Sequence, residues 1–179
     1  DKQALRAFVK AGGMMMVTGD SNYYFKQLLN NVMDLNVRSM AQPNTNLALQ
    51  AQLRKGSVID TPLEMEDGGS GLPPLLSFAH NIHRLDPNSF NQHVKPVYLG
   101  DRNTAGTVTT GSWVTIFTVQ DGFVVHSGLD WSVSLRTEGE QDAQQQKIAV
   151  DWEVLVSRVM NMRFDIDLHE KQSTRTTTH

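Results

Sequence analysis

Cysteine is absent from the 179-residue chain, so neither disulfides nor thiolate metal sites can contribute to its fold or chemistry. Long apolar runs are missing too. None approaches the roughly 20 residues that a membrane-crossing helix needs, and no membrane insertion is expected. Nor is there an excess of one charge: Lys and Arg total 16 against 19 Asp and Glu, a net charge of −3. The basic residues are scattered rather than striped, which removes the electrostatic footprint of a nucleic-acid binder. Gly68-Gly69-Ser70-Gly71 lacks the Lys-Ser/Thr ending of a phosphate loop and runs into Pro73-Pro74, where a helix would have to begin. No Gly-x-Ser-x-Gly elbow is present, and the acidic stretch Glu64, Glu66, Asp67 lacks EF-hand spacing. These gaps lead to a non-enzymatic reading with no catalytic residue and no cofactor.

What remains is the composition of a globular protein, 39% hydrophobic and 20% charged. That suffices for one core or two small subdomains. Asp1 rather than Met opens the chain, as expected of a product trimmed at its N-terminus or of a segment of a longer one.

The clearest pattern runs from Gly106 to Met160, where apolar and polar residues alternate between recognisable turns. Alternation is the period of half-buried strands. It predicts strands over His93 to Leu99, Ser112 to Val119, Phe123 to Ser127, Leu129 to Thr137 and Ile148 to Met160, with Gln120-Asp121-Gly122 making a tight hairpin. The N-terminal part reads differently. Asp1 to Lys10 predicts a short helix ended by Ala11-Gly12-Gly13. Met14 to Thr18 fits either a brief strand or an approach to the next helix. Phe25, Leu28, Leu29, Val32 and Leu35 at i, i+3, i+4, i+7 predict a long amphipathic helix over Ser21 to Met40. Thr45 to Arg54 is read as helix over strand, and Leu75 to Leu85 as a short helix.

Gly and Pro punctuate residues 60–74 densely enough to mark a boundary. The expected organisation is therefore a helical part over residues 1–59, a linker over 60–74, an antiparallel β-sandwich over 75–169 and an extended polar tail over 170–179. In fold class this is α+β, with N-terminal helices packed with or preceding an antiparallel β-sandwich.

Few residues invite a chemical role. His80 and His83 fall on one face of a helix and, with Asp86, have the makings of a metal site. That spacing is common, and a polar or interface-facing side of a short helix is the preferred explanation. Asp165, Asp167 and His169 alternate along one strand face, which would suit a divalent cation, but a charged edge strand that discourages mispairing is the preferred reading. No metal is expected. Trp131 and Trp152 read as core aromatics. Trp113, beside Gly111-Ser112, reads as peripheral and suited to a glycan or partner contact. The tail has no apolar residue, so Lys171, Thr174, Arg175 and His179 are expected to be ordered only against another subunit.

The text Val94-Lys-Pro-Val-Tyr-Leu-Gly-Asp-Arg102, then Ser112-Trp-Val-Thr-Ile-Phe-Thr-Val119, Asp121-Gly-Phe-Val-Val-His-Ser-Gly128 and Ile148-Ala-Val-Asp-Trp-Glu-Val154 resembles β-sandwich modules of bacteriophage tail, baseplate and fibre proteins. There a Ser/Thr-Trp-Thr-Val strand leads into a Gly-containing turn, and a later strand carries Ile-x-Val-Asp. Trp152 departs from that pattern, which commonly has Gly after the Asp. The resemblance covers about a third of the chain. It implies a structural subunit of a virion (tail, baseplate or neck) whose partners are copies of itself, other virion subunits and a host-surface glycan. A periplasmic or envelope subunit of a bacterial secretion machine and a carbohydrate-binding module are the alternatives.

Overall fold

A computed structural model describes residues 1–18, 27–40, 49–54, 71–78, 83–104, 107–128 and 150–161. Among the described residues six strands, β1 (Met14–Thr18), β2 (Leu49–Leu53), β3 (Leu75–Phe78), β4 (Val94–Thr104), β5 (Thr107–Val119) and β6 (Gly122–Ser127), form one sheet in the order β1-β6-β5-β4-β2-β3. The β1–β6 pair is parallel and all the others are antiparallel, so the sheet is mixed. This corrects the expected α+β arrangement of N-terminal helices beside an antiparallel sandwich. β1 and β2, from the stretch read as helical, are built into the same sheet as the later strands. Among the described residues the helices are short: α1 (Lys2–Lys10), one π turn (Leu28–Val32), one 3-10 turn (Pro87–Ser89) and a helix over residues 150–161.

Local chemistry explains each of these. The Asp1 side chain caps α1 by accepting from the Gln3 amide at 3.0 Å. At the other end, the Gly12 and Gly13 amides donate back to Val9 and Phe8 with Gly12 at φ +94°, a Schellman ending. The chain then enters β1 directly. β5 and β6 are joined through Gln120-Asp121 as expected, with Val119 opposite Gly122 and Gln120 at φ +56°. Gly122 is dictated by packing: a Cβ there would lie 1.9 Å from the Val9 carbonyl oxygen at the end of α1.

The long helix expected over Ser21 to Met40 is replaced, within its described part, by a single π turn. The Asn30 side chain explains the early stop. Its amide donates to the Val37 carbonyl and its oxygen accepts from the Val37 amide, both at 2.8 Å. This two-point clasp turns the chain back, and Asp34 and Asn36 take left-handed conformations within it. Asn and Asp reach that region more readily than other non-glycine residues, and their side chains compete with helical bonding.

β2 and β3 replace two expected helices. In β2, Leu49, Ala51 and Leu53 alternate with Gln50 and Gln52, and the period of two prevails because β3 and β4 pair with it on either side. The opposite substitution occurs over residues 150–161, expected as strand and observed as helix. Its buried side chains are Trp152, Leu155 and Val159, spaced i, i+3, i+7, while Val150 and Val154 are 54% and 38% exposed. Valines at 150, 154, 156 and 159 cost about 0.6 kcal/mol each in a helix, roughly 2.5 kcal/mol together. Burying three large side chains returns on the order of 5–8 kcal/mol. Burial wins, and the Val-rich text becomes a helix.

Alternation along the strands sends neighbouring side chains to two cores on opposite sheet faces. Val125, Ile116, Val114 and Ala51 meet Trp152, Leu155 and Val159 of the C-terminal helix on the first face. Val124, Phe117, Val119 and Val17 meet Val9 of α1 and Leu29, Val32, Met33 and Val37 on the second. A β-bulge interrupts the alternation between β4 and β5: Pro96 pairs with Thr115, Tyr98 with Val114 and Leu99 with Ser112, skipping Val97 and Trp113. Both skipped residues consequently share the first core with their neighbours Tyr98 and Val114.

Candidate binding groove

The N-terminal layer covers the second sheet face over β1, β6 and part of β5. Across β4, β2 and β3 the same face carries a groove of about 640 Å³, lined by Gln50, Gln52, Leu53, Arg54, Leu75, Leu99, Asp101 and Thr110. Register sets its layout. Gln52 stands opposite Leu75 on one side and Leu99 on the other, giving a Leu-Gln-Leu row across three strands. Gln50 follows two residues along β2, on the same face and about 7 Å away. Asp101 faces Thr110 across the β4–β5 ladder, and the threonine hydroxyl donates to its Oδ1. The intervening Ala51 and Leu76 point to the opposite face and are fully buried there.

The groove therefore offers two primary amides, one carboxylate with an oxygen still open and a leucine surface, with Arg54, itself engaged, in the lining. Gln50, Gln52, Arg54, Asp101 and Thr110 are exposed, while Leu53, Leu75 and Leu99 are half-buried. No hydrogen bond engages the Gln50 or Gln52 amide among the described residues. Each can donate and accept.

Beside the groove, Ser112 is the cross-strand neighbour of Leu99 and shares a 2.7 Å hydroxyl–hydroxyl bond with Thr115. Thr115 in turn faces His126 across the β5–β6 ladder. Ser112, Thr115, His126 and His83 are all buried, a polar strip within an apolar interior. Burial, and secondarily the charge of His83, lowers the pKa of His126 from 6.5 to about 3, so its imidazole is neutral at physiological pH. On the other face Tyr98 donates to the Pro73 carbonyl at 2.6 Å. Burial, with the Asp151 carboxylate second, raises its phenol well above the ordinary value.

The residues singled out from sequence are distributed as follows. His83 is buried, 1% exposed, its backbone amide donating to the Gly128 carbonyl at 2.9 Å. Asp86 is already engaged: Oδ1 accepts from the Asn88 amide and side chain, and Oδ2 pairs with Arg38 at 3.3 Å. No group of three or more His, Cys, Asp or Glu among the described residues is placed to hold a metal. Trp113, expected to be peripheral, is 1% exposed. The bulge turns it into the first core, where its indole lies over Gly100 so closely that a Cβ there would sit 2.5 Å from Nε1. Trp152 is a core aromatic, but on a helix, with Nε1 donating to the Ser77 carbonyl at 3.1 Å. His80, Trp131, Asp165, Asp167, His169, Lys171, Thr174, Arg175 and His179 lie outside the described residues. The groove residues went unremarked in the sequence. The signal for half of them was the strict alternation of Leu49 to Leu53; the other half depends on strand register.

No protein-family model matches the chain, and no curated protein does. Among solved structures it is similar to part of the β-galactosidase from Bacillus circulans sp. alkalophilus, with a TM-score of 0.47 and 12% identity over 71% of this chain and 18% of that one. It is also similar to part of the cold-adapted β-galactosidase from Rahnella sp. R3, with a TM-score of 0.47 and 12% identity over 89% of this chain and 20% of that one. The chain thus spans a fifth or less of the length of either enzyme.

Proposed function

We propose that this chain is a non-enzymatic structural subunit that works by association with copies of itself, in the manner of a bacteriophage virion component. The observation that carries this reading is the outer surface of the helix over residues 150–161. Val150 and Val154 stand opposite the buried Trp152-Leu155-Val159 stripe and Met160 flanks them; they are 54%, 38% and 58% exposed. Exposed apolar side chains on the solvent side of a two-faced helix, here interspersed with Glu153, Ser157 and Asn161, suit a subunit contact. The virion assignment draws on the sequence resemblance. Its Ser112 to Val119 and Phe123 to Ser127 segments are adjacent strands, while residues 150–154 of its last segment are helical.

The test is the particle mass in solution by light scattering. A symmetric oligomer is expected, and Val150→Glu with Val154→Glu should reduce it to 20.0 kDa monomers without loss of helical circular dichroism. A native chain that is monomeric at all concentrations would overturn the reading.

A further inference from the structure

We propose that the groove over β4, β2 and β3 is a binding site for a neutral, polyhydroxylated ligand, a short oligosaccharide. The inference goes beyond the assembly reading and does not depend on it.

Three features of the groove select the ligand class. The first is charge. Among the described lining residues Arg54 and Asp101 contribute one charge of each sign, so together they carry no net charge that would select an anion or a cation. A phosphate or sulfate group would meet the Asp101 carboxylate.

The second is hydrogen-bonding character. Gln50 and Gln52 each present a donor and an acceptor, and the Asp101 oxygen not held by Thr110 presents an acceptor. A sugar hydroxyl is also both donor and acceptor, so it can satisfy either end of an amide. Leu75 and Leu99 flank Gln52 in register and supply the apolar surface on which the C–H faces of a sugar ring lie. Sites for small ligands combine such a surface with a few placed polar groups.

The third is position. The groove lies on the face of the sheet, where β2 pairs with β3 over Leu49–Gln52 and with β4 at Gln52 and Leu53. An extended peptide binds a sheet at an open edge, through backbone groups left unpaired. This groove offers side chains, which suits hydroxyls better than an added strand.

The experiment uses the full chain labelled with nitrogen-15 and methyl carbon-13, titrated separately with cellobiose, lactose and maltotriose. A sialylated trisaccharide and a neutral extended peptide serve as controls. At least one neutral sugar should shift the side-chain amide signals of Gln50 and Gln52 and the methyl signals of Leu75 and Leu99, with millimolar affinity. Gln50→Ala combined with Gln52→Ala should weaken that binding tenfold or more and leave the remaining backbone signals in place, since both positions are exposed. Asp101→Asn should weaken it less, because an amide oxygen still accepts. Shifts produced only by the sialylated sugar or the peptide would overturn the ligand class. No groove shift with any neutral sugar up to about 10 mM, or shifts unaffected by the double substitution, would overturn the site.

Discussion

His126 should make the stability of this protein fall with acid in a way that one substitution removes. Its imidazole is fully buried, with a folded-state pKa of about 3 against 6.5 for an exposed histidine. The unfolded chain therefore takes up the proton first. Stability is complete above pH 6.5 and is lost as pH falls, until the folded state also protonates near pH 3. Between these limits the slope approaches about 1.4 kcal/mol per pH unit. From pH 7 to pH 5 the loss from this one group works out to about 2 kcal/mol, a large share of an ordinary domain's total. Urea denaturation of the native chain and of His126→Asn at pH 7, 6 and 5 measures it. Every other titrating group is common to both proteins, so the difference in their pH slopes isolates His126. The Asn variant should start lower at pH 7 and lose about 2 kcal/mol less on going to pH 5. Equal losses in the two proteins would refute the reasoning, because the imidazole would then have to be as easily protonated folded as unfolded.

Two further substitutions test the packing. Gly122→Ala forces a methyl group into the Val9 carbonyl at the end of α1 and should cost about 3 kcal/mol or more in urea denaturation; a neutral result would mean that α1 does not seat against the β5–β6 hairpin. Trp152→Phe keeps most of the ring but leaves the Ser77 carbonyl without its indole donor. It should cost about 1–2 kcal/mol, whereas Trp152→Ala should cost about 3–5 kcal/mol and raise amide hydrogen exchange throughout residues 150–161.

The parts of the fold legible in sequence are those decided locally. α1 and its Gly12-Gly13 ending, the β5–β6 hairpin and the cores of β4, β5 and β6 all follow from capping, turn chemistry and alternation within a few residues. The parts misread are those decided by distant partners. Leu47, Leu49, Ala51 and Leu53 satisfy a helix or a strand equally on paper, and only β3 and β4 on either side make β2 a strand. Residues 150–160 carry β-branched text that alternates convincingly, yet the surface waiting for them rewards Trp152, Leu155 and Val159 instead. Trp113 misled for a third reason: the bulge beside it inverts the face that alternation assigns. The groove was hidden for the same cause as β2. Leu75, Gln52 and Leu99 become a row only once three strands are in register, and no local pattern announces that.

The indole of Trp152 has a consequence for how this molecule avoids its own kind of error. β3 is the outermost strand on its side of the described sheet, and the Ser77 carbonyl that accepts the indole proton points away from β2 into that border. Such borders recruit stray strands from other chains. Here the donor comes from a helix 75 positions later in the chain, so the Ser77 carbonyl lacks this partner until residue 152 has been made. A chain truncated between residues 128 and 149 would keep all six described strands but lose the indole donor at the Ser77 carbonyl, and aggregation at β3 is the expected outcome.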